Sequence, residues 1–224
     1  LKISFNGILG ACIIGIPLGI LSAVKQYSAV DTISRVTAML AAAIPPFWLG
    51  MMLIFAFALK LGWLPSSGRG PTATFLGGKF SLFVAGGLQY IIMPALTLSI
   101  SNIASLVRLT RAGVMENMRQ DYIKFARAKG VSTRRVLFGH ALKNALIPVV
   151  TVFGMEIGSL IAFTTVTETI FSWPGLGKLL IDSINSVDRP VIVAYLCLTT
   201  ILFVFINFVV DILYTIIDPR IKLR

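Results

Sequence analysis

Charge is scarce in this chain, and so are the side chains that most often bind metals or form disulfides. Asp, Glu, Lys and Arg make up 13% of the 224 residues and apolar residues 56%, whereas ordinary soluble domains carry about 25% charged residues. The composition excludes an ordinary soluble domain and points to a membrane. With one histidine and two cysteines, the sequence offers no metal site or disulfide framework, and we interpret His140 as a structural or docking residue.

Long uncharged runs are the dominant pattern. Five runs reach the roughly 20 residues that a helix needs to cross a membrane, and buried helices of soluble proteins seldom stay uncharged for so long. The alternation of a membrane β-barrel strand is not sustained anywhere. We predict an all-α fold, a polytopic transmembrane helical bundle forming a single domain over residues 1–224, with spans at about 3–24, 36–59, 84–107, 144–166 and 191–217.

Small residues and prolines occur within these uncharged runs. The adjacent Pro45 and Pro46 each remove a backbone donor and predict a kink in the second span. The segment 167–189 mixes aromatic and aliphatic residues and predicts a short interfacial helix anchored by Trp173. One face of the first span carries a small residue at every fourth position, which predicts close packing against another helix: Gly7, Ala11, Gly15 and Gly19.

The positive charges are unevenly placed. The net charge is +11, and nine of the twenty Lys and Arg residues lie between Arg108 and Lys143. Because positive residues near span ends stay in the cytoplasm, we place this loop and the C-terminus inside the cell and Leu1 outside. Charge in this position indicates orientation rather than a nucleic-acid partner. Nothing at the start reads as a signal peptide, and we interpret the chain as a fragment.

The basic loop has a helical pattern of its own. Gly130 suits a left-handed cap that ends one helix, and Ser132 suits the cap of a second helix that continues into the fourth span. The predicted element is therefore helix, turn, helix. By itself it fits a lipid-binding surface helix, a nucleic-acid contact or a docking element for a cytoplasmic protein. Apolar residues of the first helix recur at the spacing of one helical face: Met118, Tyr122, Phe125 and Ala126.

Four segments of the chain resemble one protein family. The run ARAKG…RRVLFGHALKNALIPVV, which begins at Ala126, is similar to the cytoplasmic EAA loop of ATP-binding-cassette (ABC) importer permeases of the dipeptide and oligopeptide branch. PPFWLGMMLIFAFALKLGWLPSSG, TETIFSWPGLGKLL and FVVDILYTIIDPRIK resemble other recurrent segments of that branch. The loop departs from the general pattern, which opens Glu-Ala-Ala where this chain has Lys124, Phe125 and Ala126, and which closes with a proline where this chain has Lys143.

The resemblance implies a fold and a set of partners. The family fold, that of type I ABC importers, has six spans with both termini inside, so five spans and an outside start imply a missing first helix and the external segment after it. The implied location is the plasma (inner) membrane of a bacterium or archaeon. The implied partners are a second homologous permease subunit, two cytoplasmic ABC ATPase subunits, an external substrate-binding protein and membrane lipid, with no nucleic acid.

The same resemblance implies that nucleotide binding and hydrolysis take place on partner subunits. ATP and Mg would bind to the partner ATPases, so this chain would bind no cofactor or metal, contribute no catalytic residue and not be an enzyme. The short helix of the loop at 108–143 would seat in a groove of an ATPase subunit and act as a coupling helix. The implied ATPase-coupling residues are Met118, Asp121, Tyr122, Phe125, Ala126, Arg127, Ala128, Gly130, Arg134 and Arg135.

Candidate pathway residues are polar side chains inside the spans. An acidic residue there is costly and points to function, so Glu156 could line the pathway, with Ser101 and Asn102 as further candidates; the alternatives are a neutral acid bonded to a neighbouring helix and simple interhelical packing. The expected substrates are di- or oligopeptides, with nickel chelates, glutathione or another small solute as alternatives. The alternative of another class is a membrane receptor or scaffold that transports nothing.

Overall fold

The computed structural model describes residues 2–75, 78–80 and 84–217. Helices dominate this part of the chain, which confirms the all-α prediction, and one small hairpin is the exception. In chain order the elements are α1 (Lys2–Val24), α2 (Ala29–Ala43), α3 (Pro46–Leu53) with a π-helical continuation (Ile54–Lys60), β1 (Ala73–Phe75), β2 (Gly78–Phe80), α4 (Gly87–Met118), α5 (Asp121–Ala128), α6 (Thr133–Arg135) with a π-helical continuation (Val136–Ala141), α7 (Leu142–Ile170), α8 (Leu176–Asn185) and α9 (Arg189–Ile217).

Three helices of the described chain are each long and apolar enough to cross a membrane: α1 over Ile3–Val24, α4, and α9 over Arg189–Val210. They lie where the first, third and fifth spans are predicted. α4 continues past the predicted end at 107 because Arg108 and Arg111 end the apolar run without disfavouring a helix. α7 covers the fourth predicted span, and the total of five spans stays a prediction.

The second predicted span, 36–59, is not one continuous helix. It is divided between α2 and α3 with its π-helical continuation, and the two parts are bent by 98° at the break. Pro45 is extended, with φ −62° and ψ 132°, and Pro46 begins α3. The physical reason is that the ring of Pro46 disfavours a helical Pro45 while neither proline has an N–H to donate. The predicted kink is therefore a complete break.

Contacts between residues divide the chain into two compact units. The first unit comprises Leu1–Gly10, Ile44–Ile100 and Gly158–Phe205, and the second comprises Ala11–Ala43, Ser101–Ile157 and Ile206–Arg224. The helices α1, α4, α7 and α9 each contribute a segment to both units. The single membrane domain over 1–224 stays a prediction.

The first unit packs around Trp173. This side chain is only 5% exposed and forms a core cluster with Ile3, Ile91 and Leu98. The prediction of Trp173 as an interfacial anchor is therefore wrong. Its backbone N–H donates to the Glu168 carbonyl at 2.8 Å, so the turn after α7 brings the indole inward, where its large apolar area is buried. The short helix predicted in this segment is present as α8.

In the second unit, α1 packs closely on α4 through small residues. Ala11 is fully buried. A Cβ atom added at Gly15 would lie 2.8 Å from the Leu106 Cβ, and one added at Gly19 would lie 2.6 Å from the Thr110 Cβ. Both distances are below van der Waals contact, so only glycine permits this approach. The predicted close packing of the small-residue face is confirmed.

A buried ion pair fixes the ends of three helices in the same unit. The Asp31 side chain is fully buried, and Arg111 donates to it side-on, with Nε to Oδ1 at 2.7 Å and Nη2 to Oδ2 at 2.9 Å. Ser22 Oγ donates to Oδ1 at 2.6 Å and the Tyr27 N–H to Oδ2 at 3.0 Å. These donors come from α4, from α1 and from the turn that leads into α2. The carboxylate therefore has the partners that a buried charge needs.

We expect Asp31→Ala to lower the free energy of unfolding by about 3–5 kcal/mol, because the largely buried Arg111 guanidinium would lose its counter-charge. The double variant Asp31→Ala/Arg111→Met should recover much of that loss, since it removes both charges. Thermal unfolding of the purified protein in detergent measures both variants. Arg35→Met is the control: its guanidinium is 44% exposed and 3.5 Å from the carboxylate, and its loss should cost less than about 1 kcal/mol. A double variant no more stable than Asp31→Ala would contradict this account.

Candidate coupling surface

The basic loop folds as two helical pieces joined by a turn, as predicted. After α4 ends at Met118, α5 runs from Asp121 to Ala128, and α6 begins at Thr133 and passes through its π-helical continuation directly into α7. Ser132 occupies the N-cap position of α6 with an extended backbone but makes no side-chain capping bond. Because α6, its π-helical continuation and α7 follow one another without a gap, they form one continuous helical element. A turn separates α5 from the helix on each side.

The turn after α5 is a Schellman motif centred on Gly130. The Gly130 N–H donates to the Arg127 carbonyl at 2.9 Å, and the Val131 N–H donates to the Ala126 carbonyl at 3.2 Å, which are the two bonds of that motif. Gly130 has φ +79°, in the left-handed region that penalises a side chain. The predicted left-handed cap is confirmed, and it ends α5 abruptly.

One face of α5 packs on the chain itself. Ile123 is fully buried in a cluster with Val136 and Ala141, and Met118 and Ala126 pack against this cluster. Ile123 was not among the residues that the sequence pattern predicted. Met118 and Ala126, which belong to the predicted coupling set, are half-buried and also contact the chain itself, because the helix must bury one side to be held in place. Tyr122 and Phe125 are the exposed aromatic residues of α5.

A chain of hydrogen bonds joins α5 to both neighbouring membrane helices. The Tyr122 hydroxyl donates to Asn117 Oδ1 at 2.9 Å and accepts from Asn144 Nδ2 at 3.0 Å. Asn117 Nδ2 in turn donates to the Gly113 carbonyl of α4 at 2.9 Å. Asn117 lies near the end of α4 and Asn144 near the start of α7. Neither asparagine has a sequence pattern that reveals this role, since the bond depends on how the helices are arranged.

The remaining surface of α5 and α6 is open and basic. Phe125 is 63% exposed, and the Lys129 Nζ lies 4.5 Å from the centre of its ring. The Lys124 Nζ donates to Asp121 at 2.8 Å, and this partner holds the pKa of the Asp121 carboxyl below its usual value. The other exposed residues of the predicted coupling set are Arg127, Ala128, Gly130, Arg134 and Arg135. Together these groups form an aromatic centre inside a positive rim.

The three predicted pathway residues are not shown to share a site. Asn102 is buried and Ser101 is half-buried on α4. Glu156 lies in the part of α7, residues 151–163, whose side chains are outside the described residues, so its pathway role stays a prediction. No group of three His, Cys, Asp or Glu side chains with metal-binding geometry occurs in the part of the chain that the structure describes.

Glu168 is a buried carboxylate that the sequence analysis missed. It is 2% exposed, and its Oε2 accepts the N–H groups of Gly177 at 2.7 Å and Lys178 at 3.2 Å. These are first-turn donors of α8, which have no partner inside the helix. A Cβ atom at Gly175 would lie 2.1 Å from the Glu168 Cδ, so this glycine admits the carboxylate. The segment PGLGK therefore leads into α8, and free backbone amides in the first turn of α8 bind the Glu168 carboxylate of the same chain.

Comparison with known proteins identifies similar sequences over nearly the whole chain. Residues 15–223 match the family described as the binding-protein-dependent transport system inner membrane component. The oligopeptide transport system permease protein AppB of Bacillus subtilis is 44% identical over 95% of this chain and 65% of its own length. The glutathione transport system permease protein GsiC of Escherichia coli K12 is 39% identical over all of this chain and 68% of its own length. The chain thus spans about two thirds of the relatives it matches.

A solved structure shows the same fold. An inward-facing structure of the MetNI methionine ABC transporter matches with a TM-score of 0.74 over 97% of this chain and 92% of the matched chain, at 18% identity. The predicted fold of a type I ABC importer permease is confirmed by this likeness, and the predicted family resemblance is confirmed by the sequence matches. At this low identity the structural likeness concerns the fold alone.

We expect Gly130→Ala to lower the free energy of unfolding by about 1–2 kcal/mol, because alanine is strained at a positive φ. No atom of the described residues lies within 4 Å of the added Cβ, so we expect no contribution from steric overlap. Gly130→Asn is the matched control, since asparagine tolerates the left-handed region better and should cost less. Thermal unfolding and limited proteolysis of the loop after α5 test the pair. Equal stability of the Ala variant and the unsubstituted protein would contradict the assignment of Gly130 as a conformational cap.

Proposed function

Because this chain belongs to the family of binding-protein-dependent transport system inner membrane components, we propose that it is the permease subunit of an ATP-driven importer of di- and oligopeptides. A second homologous permease subunit completes the pathway, and an external binding protein delivers the substrate. Two cytoplasmic ABC ATPase subunits bind ATP and Mg and hydrolyse the nucleotide, while this chain performs no covalent chemistry. The protein spans the inner membrane with the basic loop and the C-terminus in the cytoplasm.

The observation that carries this proposal is the two-sided construction of α5. Its inward side chain, Ile123, is fully buried in the chain's own core. On the other side, Phe125 is 63% and Tyr122 41% exposed. An exposed aromatic pair within a charged rim is the usual composition of an interface centre, where aromatic anchors supply most of the binding free energy. In this proposal Phe125 enters a groove on the ATPase, and the exposed Lys129 and Arg135 meet acidic groups at its edge.

The internal contacts of α5 give the coupling a mechanical basis. Tyr122 is bonded to both Asn117 and Asn144, and the Ile123 cluster includes Val136 and Ala141 of the π-helical segment before α7. A displacement of α5 by a moving ATPase would therefore pull on the end of α4 and on the start of α7 together. Packed side chains transmit such a displacement because they resist compression.

The names of two relatives support short peptides as the substrate class. AppB is named for oligopeptides and GsiC for glutathione, which is itself a short peptide. We therefore place the substrate of this chain among short peptides and peptide-like solutes. A scaffold that only recruits a cytoplasmic protein would need the same docking surface, but the family match over residues 15–223 favours transport.

We expect Phe125→Ala to weaken docking of the ATPase subunits by about 30-fold, the effect of losing an aromatic anchor worth about 2 kcal/mol. Co-purification and titration of the ATPase onto the permease pair in detergent measure it, together with substrate-stimulated ATP hydrolysis. Phe5→Ala is the matched control, because Phe5 is equally exposed at 64% but lies on α1. Retention of full stimulated hydrolysis in Phe125→Ala would contradict the coupling role, and a bound partner that hydrolyses no nucleotide would favour the scaffold.

The cargo is tested on the assembled transporter in proteoliposomes with its own external binding protein. We expect dipeptides or longer peptides to stimulate ATP hydrolysis and to accumulate inside, since matched relatives are named for oligopeptides and for di- and tripeptides. Glutathione and a nickel chelate complete the panel. Stimulation by the nickel chelate alone would replace the peptide assignment while leaving the importer assignment intact.

A further inference from the structure

A cavity beside α5 has the composition of a ligand site. It encloses about 550 Å³ and lies within the second compact unit, in the size range of small-molecule pockets. Most of its wall is apolar. The apolar side chains come from the ends of α1 and α4 and from the π-helical segment before α7, namely Val24, Val114, Met115, Met118, Leu137 and Phe138.

The polar groups of this cavity all have hydrogen-bond donors to offer. Arg119, Arg127 and Arg134 line it, and among the described residues no carboxylate forms an ion pair with any of the three. Three guanidinium groups around an apolar hollow favour an anion that carries an apolar body.

The position of the cavity indicates which anion this is. Val24 is the last residue of α1 and Met118 the last residue of α4, and both helices are long and apolar enough to cross a membrane. The ends of membrane-spanning helices lie at the level of the lipid headgroups, where basic pockets between helices bind anionic lipids. A free phosphate ion would use the arginines but would gain nothing from the apolar wall.

We propose that this cavity binds one acidic phospholipid. The phosphate accepts hydrogen bonds from Arg119, Arg127 and Arg134, and the glycerol and upper acyl chain lie against the apolar wall. Because Arg127 belongs to α5 and Arg134 to α6, the lipid joins the loop to the ends of α1 and α4. Under the proposed function it would brace the coupling element, but lipid binding itself does not depend on that function.

The test measures lipid binding to the delipidated transporter in detergent by native mass spectrometry. Phosphatidylglycerol is titrated against phosphatidylcholine with the same acyl chains, and glycerol 3-phosphate serves as the headgroup without the chains. The triple variant Arg119→Gln/Arg127→Gln/Arg134→Gln should bind phosphatidylglycerol about 100-fold more weakly, at about fivefold for each charge removed. The charge-matched control is Lys124→Gln/Lys129→Gln/Lys143→Gln, which should change binding by less than about threefold because these lysines lie outside the cavity.

Arg119→Gln alone keeps the proposal testable if the triple variant fails to fold. It removes one exposed charge from the cavity, so the protein should fold normally while phosphatidylglycerol binding falls about fivefold. Several results would overturn the proposal: equal losses in the two triple variants, equal binding of phosphatidylcholine, or displacement by glycerol 3-phosphate at the same concentration. None of these measurements requires transport, so failure of the lipid proposal would not contradict the proposed function.

Discussion

The requirement to pair one buried carboxylate organises the second compact unit. Asp31 has no access to water, so it must find its hydrogen-bond donors within the protein, and it takes them from Ser22, Tyr27 and Arg111. Satisfying this one charge brings the end of α1 and the turn before α2 against α4. The close approach of α1 to α4 at Gly19 lies beside it. The cavity and the α5 element are built from the residues that follow these points in the chain.

The same element of the basic loop has two surfaces with different physical tasks. Ile123 and the Tyr122 hydroxyl hold α5 to its neighbours, through burial and through hydrogen bonds respectively. Phe125 and Arg135 remain exposed for a protein partner. A helix of eight residues is too short to be stable alone, so the internal contacts are what make an external contact mechanically useful. Docking and attachment are therefore separable by substitution, which a helix with a single apolar face would not allow.

Several features could be predicted because they depend on residues close together in the chain. The apolar runs located α1, α4 and α9, and the small-residue face of α1 predicted its close packing. The left-handed conformation of Gly130 follows from a glycine at the end of an amphipathic segment. The errors concern long-range contacts. Trp173 is a core residue because a turn folds it inward, and nothing within its own segment distinguishes that from an anchor.

The sequence by itself determined the membrane class, the helical fold, the family resemblance and the two-helix form of the basic loop, because hydropathy, charge and cap residues act over a few neighbouring positions. Only the tertiary structure decided which side of α5 is attached, how Glu168 caps α8, and where Asp31 finds its counter-charge. Asp31 and Arg111 are separated by 80 positions along the chain. Their pairing depends on the arrangement of whole helices, so no local pattern can reveal it.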